Sequence, residues 1–138
     1  NQLMSLNVSG CTALDYLRCH SNQLTSLNVS GCAALNYLDC DNNQLKSLNV
    51  SGCAALKHLD CDNNQLKSLN VSGCTALEYL YCSDNPITQM ITEPFLSIPY
   101  FHYDRRFYYD NVGDWSYNYD DGHGWYYPGE PQKGYHGK

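Results

Sequence analysis

The sequence predicts a mainly β solenoid of about four and a half 21-residue turns with parallel strands, followed by an aromatic-rich C-terminal cap. Three observations predict it. The chain repeats with a single fixed period, near-identical copies opening at Asn1, Asn22, Asn43 and Asn64 and a fifth beginning at Asn85. Each copy holds two similar halves, Leu3-x-x-Leu6-x-Val8-x-x-Cys11 and Leu14-x-x-Leu17-x-Cys19-x-x-Asn22. Both halves alternate apolar with other residues over a few positions, which is the period of a strand. Finally, so short a repeat leaves no room for a full helix beside two extended segments.

Taken along one turn, the first extended segment falls around Leu6–Val8 and turns at Ser9-Gly10. The second, a short parallel strand, falls around Leu17–Cys19 and turns near Ser21. Equivalent residues of successive turns stack about 4.8 Å apart in the strand-pairing direction. The column Asn22, Asn43, Asn64 and Asn85 then has a structural task. Where the chain bends inward its backbone groups are cut off from water, and an amide supplies two donors and an acceptor to satisfy them. Two cysteine columns, Cys11, Cys32, Cys53, Cys74 and Cys19, Cys40, Cys61, Cys82, follow the same period. Stacked side chains on a parallel ladder point the same way, whereas a disulfide needs Cβ atoms about 3.8 Å apart and turned together. Both columns are therefore expected to be buried thiols packing as small hydrophobes. No C-x-x-C occurs, so a zinc site is not expected. Asn7, Asn28, Asn49 and Asn70 each open an Asn-Val-Ser triplet, a formal glycosylation signal. Four glycans about 5 Å apart would collide, so strand-and-turn geometry is the better reading of the triplet.

The fixed letters L-x-x-L-x-C-x-x-N-x-L, as in Leu14, Leu17, Cys19, Asn22 and Leu24, are the leucine-rich-repeat pattern, at the short end of its range. The chain resembles the bacterial 21-residue leucine-rich repeats of Bacteroidetes and Firmicutes surface proteins. It is also similar to the cysteine-ladder internalins, which replace a strand leucine by cysteine as Cys19, Cys40, Cys61 and Cys82 do here. The resemblance covers residues 1–91. It implies a leucine-rich-repeat solenoid in a secreted or surface-anchored protein that binds host or microbial partners, and an enzymatic role is not implied. A protein or peptide partner is expected, and no cofactor.

Composition narrows the partners. The net charge of −6 is shared equally, with seven acids and four bases in residues 1–91 and the same in residues 92–138. An acidic surface of this kind lacks the clustered Lys and Arg that a nucleic-acid backbone needs. No apolar run reaches the roughly 18 residues of a membrane span, so membrane insertion is not expected. Asn1 stands inside the motif with no capping segment before it, as expected of a processed form or a fragment.

The letters that vary between copies cluster around the second strand. One column reads Tyr16, Tyr37, His58, Tyr79, and its neighbours read Arg18, Asp39, Asp60, Tyr81 and Asp15, Asn36, Lys57, Glu78. Past the strand come His20, Asp41, Asp62 and Ser83. Positions fixed by stacking cannot vary, whereas positions free of it can be tuned to a partner. Tyrosine offers large contact area and a polar handle. Tyr16, Tyr37, His58 and Tyr79 are the candidate anchors, flanked by Tyr81, Asp39 and Asp60. The alternative is that stacked rings merely cover the sheet. Calcium could relieve the stacked acids Asp39–Asp60 and Asp41–Asp62, but Arg18 and Lys57 stand close enough to do so, and no metal site is assigned. Cys19 and His20 are strand neighbours pointing to opposite sides, which rules out a thiol–imidazole nucleophile. No catalytic residue is assigned.

Residues 92–138 hold nine of the 13 tyrosines, all three phenylalanines and both tryptophans. A stack of turns leaves its last core layer open, so Phe95, Leu96, Ile98 and Phe101 are expected to close it. Beyond them, partial alternation predicts one or two short antiparallel strands, with turns at Asn111–Asp114 and Asp120–Gly122. Trp115 and Trp125 are candidate stacking platforms for a glycan, the alternative being a small aromatic core. A third alternative makes the whole chain a structural spacer of a larger surface protein.

Overall fold

The computed structural model describes residues 2–91 in full and, beyond them, the backbone of four strands within residues 100–126. The described residues contain strands and no helix. Two strands form in each turn. The first set is β1 Ser5–Asn7, β3 Ser26–Asn28, β5 Leu48–Asn49, β7 Ser68–Asn70 and β9 Gln89–Ile91. Interleaved with it run β2 Tyr16–Arg18, β4 Tyr37–Asp39, β6 His58–Asp60 and β8 Tyr79–Tyr81. The tail adds β10 Tyr100–Asp104, β11 Phe107–Tyr109, β12 Trp115–Tyr117 and β13 His123–Tyr126.

The even strands of the repeats, with β10 and β13 of the tail, build one six-stranded sheet in the order β13-β10-β8-β6-β4-β2. Its repeat members pair in parallel and in register, Leu17 with Leu38, Leu38 with Leu59 and Leu59 with Leu80. The odd strands of the repeats fall into two sheets, β1-β3-β5 and, joined by β11 and β12 of the tail, β11-β12-β9-β7. The parallel pairing continues into the tail: Tyr100 and Phe101 pair with Tyr79 and Leu80, one period further on. β13 then adds to β10 antiparallel, while β12 joins β9 and pairs antiparallel with β11. The antiparallel pairing expected of the tail is thus present. Phe95, Leu96, Ile98 and the two expected turns lie outside the described residues.

The even strands lie one residue earlier than the sequence predicts, Tyr16–Arg18 and not Leu17–Cys19. The cause is the asparagine column. Asn22 donates its amide to the carbonyl of Cys19, which takes that carbonyl out of the ladder and starts the turn. Successive asparagines interlock through these carbonyls. The Cys40 carbonyl receives both Asn43 and Asn64, and the Cys61 carbonyl receives both Asn64 and Asn85. On its other side each Asn accepts a backbone N–H from the preceding turn: Leu24 to Asn43, Leu45 to Asn64 and Leu66 to Asn85, at 2.9–3.0 Å.

From the second turn to the fourth the core is a stack of seven buried apolar side chains per turn, in the third turn Leu45, Leu48, Val50, Cys53, Leu56, Leu59 and Cys61. All eight cysteines are free thiols. Cys32 and Cys53 each donate to a carbonyl of the preceding turn, Val8 and Val29, at 3.1 and 3.2 Å. Burial pushes the Cys53 thiol up to about 11 and Cys74 up to about 12, so both stay protonated at neutral pH. Cys11 departs from the expected pattern because it is exposed; it sits on the first turn, where one side of the stack has no neighbour.

Two left-handed residues close each turn. Gly10, Gly31, Gly52 and Gly73 have φ of 74–86°, and Ser21, Asn42, Asn63 and Asp84 have φ of 52–55°. Glycine is required at Gly52 for a second reason, since a Cβ there would lie 3.3 Å from the Gly31 backbone. Short polar residues hold the other bend because they tolerate this conformation. The Asn-Val-Ser triplets build the glycine turn: Asn7, Asn28, Asn49 and Asn70 accept the N–H of the serine two residues on, at 2.9–3.0 Å.

Candidate functional site

The even strands alternate inward leucine with outward residues, so their outward side chains form one continuous face. Register pairing places Tyr16, Tyr37, His58 and Tyr79 side by side across β2, β4, β6 and β8. Their rings touch. Tyr16 and Tyr37 stack with centroids 4.5 Å apart and planes 8° from parallel, and Tyr37 and His58 stack at 4.3 Å and 14°. The column then opens: His58 lies 5.7 Å from Tyr79 and 5.4 Å from Tyr81, tilted to both. Burial holds the His58 pKa below the ordinary value, so its ring is neutral at neutral pH. Tyr100 occupies the next register position, one repeat period after Tyr79, a spacing that the change in composition after residue 91 obscures.

Arg18 is the residue that sequence reasoning left out of the site. Its guanidinium carbon lies 5.7 Å from the Tyr16 ring centre and 5.6 Å from that of Tyr37, within cation–π range. Its Nε is 3.3 Å from Asp39 Oδ2 of the next turn, and a hydrogen bond with Tyr37 raises its pKa further. Asp39 faces outward by alternation yet is only 8% exposed, covered by this arrangement. Its other oxygen, Oδ1, is the buried side-chain atom without a hydrogen-bond partner among the described residues.

The acids beyond the strand are crowded. Burial, then its neighbour Asp39, holds the Asp41 carboxyl above the usual range. Burial followed by Asp60 pushes Asp62 up to about 7, although the Ser83 N–H donates to its Oδ1 at 2.6 Å. His20, Asp39 and Asp41 each bring one donor atom within 4.8 Å of the others, the group among the described residues that could hold a metal. Three donors fall short of the six to eight oxygens calcium takes, and Arg18 already engages Asp39.

Charge separates the two sides of the repeats. Asp15, Asp39, Asp41, Asp60, Asp62 and Glu78 belong to the even-strand side, with Arg18 and Lys57. Lys46 and Lys67 belong to the odd-strand side, where with Gln65 and Pro86 they line a shallow open hollow of about 490 Å³. The two tryptophans do not share a sheet. The backbone of Trp115 pairs with Met90 in one sheet and that of Trp125 with His102 in the other, while their side chains lie outside the described residues. No helix among the described residues is long and apolar enough to cross a membrane.

Comparison with known families finds one match: residues 54–96 fit the family described as Leucine Rich repeats (2 copies). It agrees with the parallel solenoid and supports a leucine-rich-repeat protein. Comparisons with curated proteins and with solved structures gave no match.

Proposed function

We propose that the chain is a non-enzymatic interaction module that holds a protein or peptide partner against the outward face of β2, β4, β6 and β8. Leucine-rich-repeat domains generally mediate protein–protein interaction, and residues 54–96 carry the match to that family. One observation supports this face as the contact: the residues free to differ between turns line up as a partly exposed ring column, Tyr16, Tyr37, His58 and Tyr79, with Tyr81, Asp39 and Asp60 beside it. Preordered rings lose little entropy on binding, which is why tyrosine anchors recur at interfaces. The repeat length and the Cys19 column favour a secreted or surface-displayed bacterial protein as the setting.

Selection of a random peptide library on the immobilised chain tests the proposal. Enriched peptides are expected to lose binding to the Tyr37→Ala/Tyr79→Ala double variant and to keep it in Lys46→Ala/Lys67→Ala. Peptides that bind the double variant as well as the parent would refute the assignment of this face.

A further inference from the structure

Register fixes which side chains surround Arg18. It stands opposite Asp39 in the parallel pairing of β2 with β4, two residues beyond Tyr16 on its own strand and diagonal to Tyr37. Residues two apart on a strand share a face, and a diagonal neighbour lies within reach of a long side chain. All three contacts form. The guanidinium lies against the rings of Tyr16 and Tyr37, hydrogen-bonds Tyr37, and meets Asp39 Oδ2 through its Nε. A single cation thus ties two rings of successive turns to one carboxylate. The anchor is firm because Asp39 is nearly buried and stands beside the carboxyl of Asp41. Releasing Arg18 would leave that carboxylate facing a second acid, and stranding a buried charge in this way is strongly unfavourable. Guanidinium is also the cation whose plane suits a ring face. Both stacks that Tyr37 makes, with Tyr16 and with His58, lie within 14° of parallel.

We propose that Arg18 is a positioning residue of this face: anchored on Asp39, it holds Tyr16 and Tyr37 as a rigid two-ring platform, so that the partner meets rings already in place. This rests on the strand-face reading above and adds how the first two turns of that face work. A mobile tyrosine gives up rotamer freedom when a partner packs on it, and that loss weakens binding. Here the loss is taken on folding, through the contacts of Arg18. Asp39 has a part that its position beside the rings does not suggest. Covered by Arg18, it acts on the partner through the guanidinium and not by touching it.

The test uses the full chain labelled with fluorotyrosine, with the Tyr16 and Tyr37 fluorine signals assigned through Tyr16→Phe and Tyr37→Phe. The probe is a peptide enriched on the parent chain from a random library, its affinity read by calorimetry. Arg18→Ala and Asp39→Asn should each move both fluorine signals toward that of a freely exposed tyrosine, with no peptide present. Each should also weaken the peptide on the order of tenfold, since two rings must then be ordered on binding. The double variant should lose no more than either single one, because both act through one clamp. Lys46→Ala/Lys67→Ala should change neither readout, and circular dichroism melts confirm that each variant is folded. Asp39→Asn is the discriminating variant, because it keeps the Arg18 charge and removes the carboxylate that holds it. Parent-level affinity in Asp39→Asn beside a loss in Arg18→Ala would make Arg18 a direct contact and overturn the inference. Unmoved Tyr16 and Tyr37 signals in Arg18→Ala, or losses that add in the double variant, would overturn it too. Peptides that bind Tyr37→Ala/Tyr79→Ala as well as the parent would instead refute the face itself, a result on which the fluorine signals do not depend.

Discussion

Replacing Asn64 by alanine should destabilise the fold by about 2–6 kcal/mol. Asn64 is 7% exposed, accepts the Leu45 N–H at 2.9 Å and donates to the Cys40 and Cys61 carbonyls at 3.1 Å. Alanine leaves the Leu45 N–H buried without a partner, which costs about 1–3 kcal/mol. The two carbonyls keep a second asparagine each, Asn43 and Asn85, so they lose only the net worth of a hydrogen bond, about 0.5–1.5 kcal/mol apiece. Asn22→Ala is the internal control. Asn22 makes the same kind of bonds on the first turn, but it is only half-buried and the Leu3 N–H it accepts is exposed, so water can substitute. Its alanine variant should lose about 1 kcal/mol. Urea unfolding followed by circular dichroism measures both. Because stacked turns contact only their neighbours, Asn64→Ala should also broaden the transition as the two halves uncouple. Equal losses for Asn22→Ala and Asn64→Ala, or a loss under about 1 kcal/mol at Asn64, would refute the ladder as the source of inter-turn stability.

Three further outcomes follow from the same geometry. Asp62 holds its proton more tightly when folded, its pKa pushed from 3.8 up to about 7, so its contribution to stability should be greatest below about pH 4 and fall as pH rises to about 7. Asp62→Asn should flatten that slope and raise stability at pH 8 by about 1 kcal/mol, a figure kept small because solvent screens the exposed part of the group; urea midpoints at several pH values decide it. Native alkylation at pH 7.5 read by mass spectrometry should label Cys11 quickly and the seven buried thiols only after denaturation. Leu59→Ala, which empties a fully buried core position, should cost about 2–5 kcal/mol, whereas Tyr37→Ala on the same sheet should cost no more than about 2 kcal/mol of ring stacking; thermal melts separate them.

The parts of the fold fixed by stacking were open to reading because stacking leaves a period in the letters. The asparagine column, both cysteine columns and the inward leucines each recur at the repeat period, and each has the burial or bonding that the period implies, Leu3 and Cys11 of the first turn excepted. The even-strand limits were off by one residue because the competing bond, Asn22 to the Cys19 carbonyl, is made by a side chain three residues away. The site was less legible. Alternation places Asp39 outward, yet it is buried where Arg18 of the preceding turn leans across it onto two rings. Such a contact joins residues one period apart through a long side chain whose direction no spacing rule fixes. The same holds for Tyr81 against His58, which depends on how the column tilts as it passes the third turn.

The central claim is a division of labour: repeated letters build the coil, and varied letters on β2, β4, β6 and β8 meet the partner. The Tyr37→Ala/Tyr79→Ala double variant tests it most directly when its stability and its capture of a library-selected peptide are measured on one preparation. Capture is expected to be lost while the fold keeps all but about 2–3 kcal/mol of its stability, the worth of a few ring contacts. Capture at the parent level in a folded double variant would contradict it.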